Sequence, residues 1–229
     1  MAGCVQKAIG ADCPAFDLSS ACSGFMFALD TAVSYLQREG YENILVIGAE
    51  RLSKLVDWSD RGTCVIFADG AGAMVVTKGD GYLASKIWTD GSNEVIEIPS
   101  YHGKSPFFKG EEKTPFIFMD GQETFKFAVT KIVDDIKYVV DKAKVSMDEV
   151  KHFVLHQANV RILDYAARRL GVSKEKIFKN IQNVGNTSAA SVPIAFAQLN
   201  ESGALKRGDL VVMSAFGGGL SSGVCLIRW

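Results

Sequence analysis

"DLSSACSGFMFALD", residues 17–30, sets Cys22 among small residues at the head of a stretch that then turns almost wholly apolar. From Cys22 to Glu39 there is no proline, and Gly24 is the only early glycine. Phe25, Met26, Phe27, Ala28, Leu29, Ala32, Val33, Tyr35 and Leu36 leave little polar face, the pattern of a helix buried on most sides. Ser19 or Ser20 is suited to its N-cap and Gly40 to its stop, after which "NILVIGAE" (43–50) reads as a strand covered on both faces. Cys22 therefore falls in the first turn of a core helix. Two readings stay open at this point: a small buried hydrophobe, or a thiol acidified by the positive end of the helix.

The rest of the composition narrows the class. The chain has 229 residues, 48% of them hydrophobic, enough for one large or two small domains. A net charge of −1 argues against a nucleic-acid partner held by phosphate neutralisation. No apolar run approaches the roughly 18 residues of a membrane span, and "MAGCVQKAIG" has neither the apolar core nor the cleavage site of a signal peptide. The five cysteines (4, 13, 22, 64 and 225) are odd in number and form no C-x-x-C pair, so neither a disulfide framework nor a zinc site is expected, and a reducing cytoplasm is the expected location. His152 and His156 in "HFVLH" stand four apart, but on a strand that spacing separates the rings by roughly 13 Å and a third ligand is missing. No metal is expected.

Strands alternate with helices, giving an α/β class. Strands are predicted at 44–48, 63–69 ("TCVIFAD"), 72–78, 82–90, 152–156, 209–219 and 223–229. Helices are predicted after Asp120, whose pairing with Glu123 suggests a capping box, after "SMDEV" (146–150), and over 160–171. Residues 91–115, with Pro99, Pro106 and Pro115, read as a surface excursion. "SSACSGFMFALDTAVSYL…NILVIGAE…GAGAMVV" and "NTSAASVPIAFAQL…DLVVMSAFGGG…GVCLI" share one plan: small residues, apolar helix, apolar strand, glycine turn, closing strand. Aligned ungapped from their starts, they imply a pseudo-twofold with two buried helices at its centre.

A nucleophilic cysteine needs a partner and a site for negative charge. His156 at the end of a strand is the candidate partner, against the alternative of a structural histidine. Asn159 in "HQAN" and Asn186 in "NVGNTSAAS" fall in strand-to-helix turns, where each is a candidate donor or a plain cap. The "FGGG" turn (216–219) offers backbone N–H groups to a developing oxyanion.

"SSACSGF", "DRGT…DGAGA", "HQANVRI", "NVGNTSAAS" and "AFGGG" occur in order along the chain, which with them resembles the β-ketoacyl-acyl-carrier-protein synthase III family, the initiating condensing enzymes of type II fatty acid synthesis. The resemblance implies a thiolase-like, layered αβαβα fold from two pseudo-repeated halves: residues 1–90 with the nucleophile, connecting loops at 91–118, and 119–229. It implies a Cys22–His156–Asn186 triad. Cys22 would take the acyl group from acyl-CoA, with its own N–H and that of Gly218 holding the oxyanion. His156 and Asn186 would donate to the enolate left when malonyl on its carrier protein loses carbon dioxide, and Phe216 would shield the sulfur. Arg61 would pack on the CoA adenine, and Asn159 would hold water or pantetheine near the site. No cofactor is implied beyond the CoA thioester as substrate, and a homodimer is.

Residues 161–179 carry six basic and two acidic side chains, so Arg161, Arg168 and Arg169 are candidates for steering an acidic carrier protein, against the alternative of a solvated helix face. Family members carry roughly a further quarter of their length upstream of the position of Met1. The first half is thus expected to be incomplete, its sheet edge open, and the chain alone poorly active. A polyketide-type synthase with the same triad, or an inactive remnant, are the alternatives.

Overall fold

The computed structural model describes residues 1–92, 94–99, 106–107, 109 and 114–229. A short helix, α1 (Ala2–Ala8), buries none of its residues. The run containing Cys22 begins as a 3-10 turn, Ala21–Ser23, and continues as α2 (Gly24–Leu36), which buries Phe25, Met26, Leu29, Ala32 and Leu36. Ser20 leads the turn without a side-chain capping bond. There follow β1 (Asn43–Glu50), β2 (Gly70–Thr77), β3 (Tyr82–Thr89), β4 (Ile96–Glu97), β5 (Phe118–Met119), α3 (Gly121–Lys142), β6 (Val150–Leu155), α4 (Val160–Leu170), α5 (Ile181–Val184), α6 (Ser191–Glu201), β7 (Leu210–Gly217) and β8 (Ser221–Arg228).

The larger sheet has the order β3-β8-β7-β6, parallel only between β6 and β7. β7 is buried along its whole length, which is why "LVVMSAFG" is apolar without alternation. Successive side chains leave a strand on opposite faces. Phe153, Leu155, Val212 and Leu226 therefore pack with Ile132, Ile136 and Leu163 of α3 and α4, while Val154, Val211, Met213 and Cys225 pack with Met26, Leu29, Phe196 and Leu199 of α2 and α6. On their other side α2 and α6 support the antiparallel pair β1–β2, which turns Val46, Met74 and Val76 inward and leaves Leu45, Ile47 and Val75 exposed. The layers run α3/α4, sheet, α2/α6, sheet, as expected of a layered α/β fold.

The internal repeat is real, and its register is the ungapped one. Ala21 and Ser188 share the uncommon positive φ, +44° and +49°. The interval between them also separates the starts of α2 and α6 and of β1 and β7, so Cys22 stands opposite Ala189.

Three local expectations are corrected. Residues 63–69 form turns rather than a strand, because the Asp60 carboxylate accepts from Gly62 N–H (2.8 Å) and Thr63 Oγ (2.6 Å) and curls the backbone. "SMDEV" is a turn closed by Glu149 on the Ser146 N–H (2.7 Å), leading directly into β6. Asp120 does cap α3, accepting from the Gln122 and Glu123 N–H groups, but the Glu123 carboxylate engages Lys126 instead of reaching back. Of the 91–115 excursion, residues 93, 100–105, 108 and 110–113 lie outside the described residues; the stretch is bracketed by the β4–β5 pair.

Candidate active site

Cys22 is 8% exposed and sits in the 3-10 turn that opens α2, against the end of β7. The approach is as close as backbones allow: a Cβ on Gly217 would lie 2.7 Å from the Cys22 nitrogen and 3.0 Å from its Cβ. Ser23 Oγ meets Ser221 Oγ at 2.8 Å, and the Ser221 hydroxyl donates to the Gly218 carbonyl at 2.8 Å, clamping the glycine turn over the cysteine. Gly217→Ala must push these two segments apart. We expect it to cost about 1–3 kcal/mol of stability, as overpacking does, and to slow acylation of Cys22 by tenfold or more, read from the urea midpoint and from adduct formation by mass spectrometry.

Beyond Cys22 lies a cavity of about 110 Å³ whose walls include His156, Asn186, Phe216, Phe67 and Asn159. His156 follows directly on β6, is 1% exposed, and is fixed through its N–H to the Ser214 carbonyl (2.8 Å) and by an edge-on contact with the Phe216 ring at 5.2 Å. Its Nδ1 is buried without a partner among the described residues. The Asn186 backbone is held by the 63–69 turns: its carbonyl accepts from Ala68 N–H (2.8 Å) and its N–H donates to the Ile66 carbonyl (3.1 Å). Its Oδ1 accepts from the Ser188 N–H at 2.9 Å, which orients the amide and leaves its NH₂ end as donor. The segment misread as a strand is what places this asparagine.

Burial dominates the electrostatics. The His156 imidazole is pushed down to about 3 by desolvation and is neutral at physiological pH. The Cys22 thiol is pushed up to about 11, also by desolvation, with the Glu50 charge adding to the rise and a hydrogen bond from Ser188 opposing it. In this environment the loss of hydration outweighs the helix terminus.

The remaining predicted residues divide. Gly218 lies beside Cys22 in a second cavity of about 870 Å³, which is also lined by Glu50, Ser188 and the exposed face of β1. Asn159 both caps α4, accepting from the Arg161 N–H at 2.9 Å, and lines the small cavity, so its two readings are compatible. Arg161 is exposed in the first turn of α4 beside that cavity. Arg168 and Arg169 are exposed at the far end of the helix, stacked on Tyr165 at 5.1 and 5.8 Å. Arg61 is exposed on the 60–64 turn and lines neither cavity.

Among the described residues no three His, Cys, Asp or Glu side chains gather as a metal site, and His152 lies 3.6 Å from Asp209. No described helix is long and apolar enough to cross a membrane.

Three residues escaped the sequence reading. Gln157 is fully buried, donates to the Leu155 and Phe178 carbonyls, accepts the Asn180 N–H, and gives its own N–H to Ser191 Oγ (2.7 Å), tying the His156 turn to α6. Ser188 and Glu50 meet at 3.1 Å beside Cys22. A polar residue inside "HQAN" was the only local signal for the first, and nothing local pairs the other two.

Two family models match the chain: 3-oxoacyl-[acyl-carrier-protein] synthase III over residues 16–91, and the C-terminal part of 3-oxoacyl-[acyl-carrier-protein] synthase III over 140–229. The β-ketoacyl-[acyl-carrier-protein] synthase III of Clostridium acetobutylicum is 43% identical over 232 residues, covering 98% of this chain and 71% of that protein. Its counterpart from Aquifex aeolicus is 46% identical over 218 residues, covering 94% and 67%. The crystal structure of the 3-oxoacyl-[acyl-carrier-protein] synthase III from Aquifex aeolicus VF5 superposes with a TM-score of 0.91 at 45% identity, over 100% of this chain and 71% of that one.

Proposed function

The chain belongs to the 3-oxoacyl-[acyl-carrier-protein] synthase III family, and from that premise we propose that it condenses an acyl-CoA primer with malonyl-acyl carrier protein, with loss of carbon dioxide, to begin type II fatty acid synthesis. One observation carries the assignment of roles: a buried cysteine shares a small cavity with a neutral histidine and an oriented asparagine amide. In this reading the Cys22 sulfur attacks the acyl-CoA carbonyl, the N–H groups of Cys22 and Gly218 hold the oxyanion, and CoA thiol leaves. Malonyl thioester then occupies the small cavity. Loss of carbon dioxide places negative charge on the thioester oxygen, where an imidazole N–H of His156 and the Asn186 amide donate. The enolate carbon attacks the acyl group on Cys22, releasing the β-ketoacyl carrier protein. Phe216, edge-on to His156, shields the Cys22 sulfur and turns the carbanion towards it. No step needs a cofactor.

Arg61 belongs to this reading as a contact for the CoA adenine, Asn159 as a contact for water or pantetheine, and a homodimer as the working unit. The direct test supplies acetyl-CoA and malonyl-carrier protein and follows carbon dioxide and acetoacetyl-carrier protein. Carbon dioxide release with no β-keto product, or neither product, would count against the reading.

The exposed charges on α4 give a separate prediction. Lys174 and Lys179 face Asp164 at 3.9 and 2.5 Å, so their charge is partly spent, while Arg161 stands at the cavity end of the helix. Arg161→Glu should lower kcat/KM for malonyl-carrier protein about tenfold, less so at high salt, and leave malonyl-CoA nearly unaffected. Equal losses with both substrates would make Arg161 structural.

A further inference from the structure

We propose that Gln157 is a positioning residue for the decarboxylation step: it holds the segments of His156 and Asn186 in the one arrangement that lets both side chains donate to a single thioester oxygen. The inference rests on the roles given to those two residues above. His156 follows β6, whereas Asn186 stands further along the chain, between α5 and α6. Two donors from separate segments serve one oxygen only if the segments cannot drift, since a misplacement of about 1 Å can cost about a hundredfold in rate.

Gln157, the residue after His156, bonds to the Asn186 segment on both of its flanks. Upstream, its Oε1 accepts the N–H of Asn180, the residue that leads into α5, at 3.1 Å, and its amide donates to the Phe178 carbonyl at 3.2 Å. Downstream, its backbone N–H donates to Oγ of Ser191, the first residue of α6, at 2.7 Å. The same amide donates to the carbonyl of Leu155, the residue before His156, at 2.8 Å. Asn180 in turn donates to Gln198 Oε1 at 2.9 Å, which closes the frame on α6. Inside this frame the Ser188 N–H orients the Asn186 amide. Gln157, Asn180 and Ser191 are all buried, so water does not replace a partner that is removed.

The partners dictate the residue type. Two carbonyls and one N–H require two donors and one acceptor from a single side chain, which a glutamine amide supplies in one orientation only. Glutamate has the acceptor without the donors, and methionine has the length without either. Gln157 lines neither cavity, so it touches no substrate and acts on the reaction through His156 and Asn186. Cys22 is held separately, by β7 and by the Ser23–Ser221 contact at 2.8 Å. A loss confined to decarboxylation therefore marks positioning, whereas general loosening of the fold lowers acyl transfer as well.

The test compares two half-reactions in the 229-residue chain and its variants: carbon dioxide release from malonyl-carrier protein without primer, and acetylation of Cys22 by acetyl-CoA. Gln157→Met and Ser191→Ala should each lower kcat for decarboxylation by about tenfold or more, while KM for malonyl-carrier protein and the rate of Cys22 acetylation stay within about twofold of wild type. In an Asn186→Ala background, either substitution should cost less than about threefold, because no pair of donors remains to be held together. Unchanged decarboxylation, equal loss of both half-reactions, or the same factor lost with and without Asn186 overturns the proposal. If Gln157→Met loses its cooperative thermal transition, Ser191→Ala decides by the same criteria. His156→Ala and Asn186→Ala chains that decarboxylate as fast as wild type overturn instead the roles on which the proposal rests, a distinguishable failure.

Discussion

Cys22→Ala should eliminate acyl transfer from acetyl-CoA, by a factor of at least about a thousand, and the wild-type chain should carry its acetyl label on Cys22 alone. The selectivity is the demanding part, since four other thiols compete. Cys4 and Cys13 are exposed and Cys64 is half-buried, so all three meet the reagent more readily than Cys22 does. Cys225 is wholly buried between β7 and α2 with its thiol pushed far up by desolvation. If acylation followed exposure, Cys4 and Cys13 would be labelled first. Cys22 is packed against the Gly217–Gly218 turn, in which an oxyanion can be received, so acylation should follow the site. Peptide mapping after incubation with acetyl-CoA decides between them: label on Cys4, Cys13, Cys64 or Cys225 in place of Cys22 removes the nucleophile assignment. Malonyl decarboxylation should persist in Cys22→Ala, because His156 and Asn186 are untouched.

The converse substitutions separate the half-reactions. His156→Ala and Asn186→Ala should each lower malonyl decarboxylation by about a hundred- to a thousandfold, the usual loss for one oxyanion donor, while acyl transfer to Cys22 stays appreciable. The hydrogen bonds explain the separation. Asn186 spends its Oδ1 on Ser188, and His156 spends its backbone N–H on Ser214, so the amide NH₂ and the imidazole ring remain for the substrate oxygen. A pH profile adds a second check. With its pKa lowered to about 3, His156 is neutral above that value, so its donor capacity is unchanged between pH 5 and 8. An increase in decarboxylation as pH falls through 6.5, abolished by His156→Ala, would show that imidazolium is the working form. Equal loss of both half-reactions in both variants would withdraw the division of labour.

Much of the scaffold was legible because its signals are local. The unbroken apolar faces of α2 and α3 and the run in β7 report burial directly, and Gly171, at φ +70°, caps α4 at the last position of the helix predicted over 160–171. The motif residues Cys22, His156, Asn186 and Phe216 could be named from sequence, and the fold brings them to one cavity.

What only the tertiary structure decided depends on distance along the chain. "TCVIFAD" has the composition of a strand, yet side-chain bonds from Asp60 curl it, and its pairing with Asn186 lies more than a hundred residues away. The ionisation of Cys22 is decided in the same way: a helix terminus is visible in sequence, whereas the desolvation that overrides it comes from packing against β7 and the 188–190 turn. Glu50 and Ser188, 138 positions apart, meet only because β1 is laid across that turn, at a spot where a Cβ on Gly48 would stand 2.5 Å from the Ala189 carbonyl oxygen. Periodicity along a chain records which side of an element is buried; it does not record which other element arrives there, and charge and hydrogen bonding depend on the arrival.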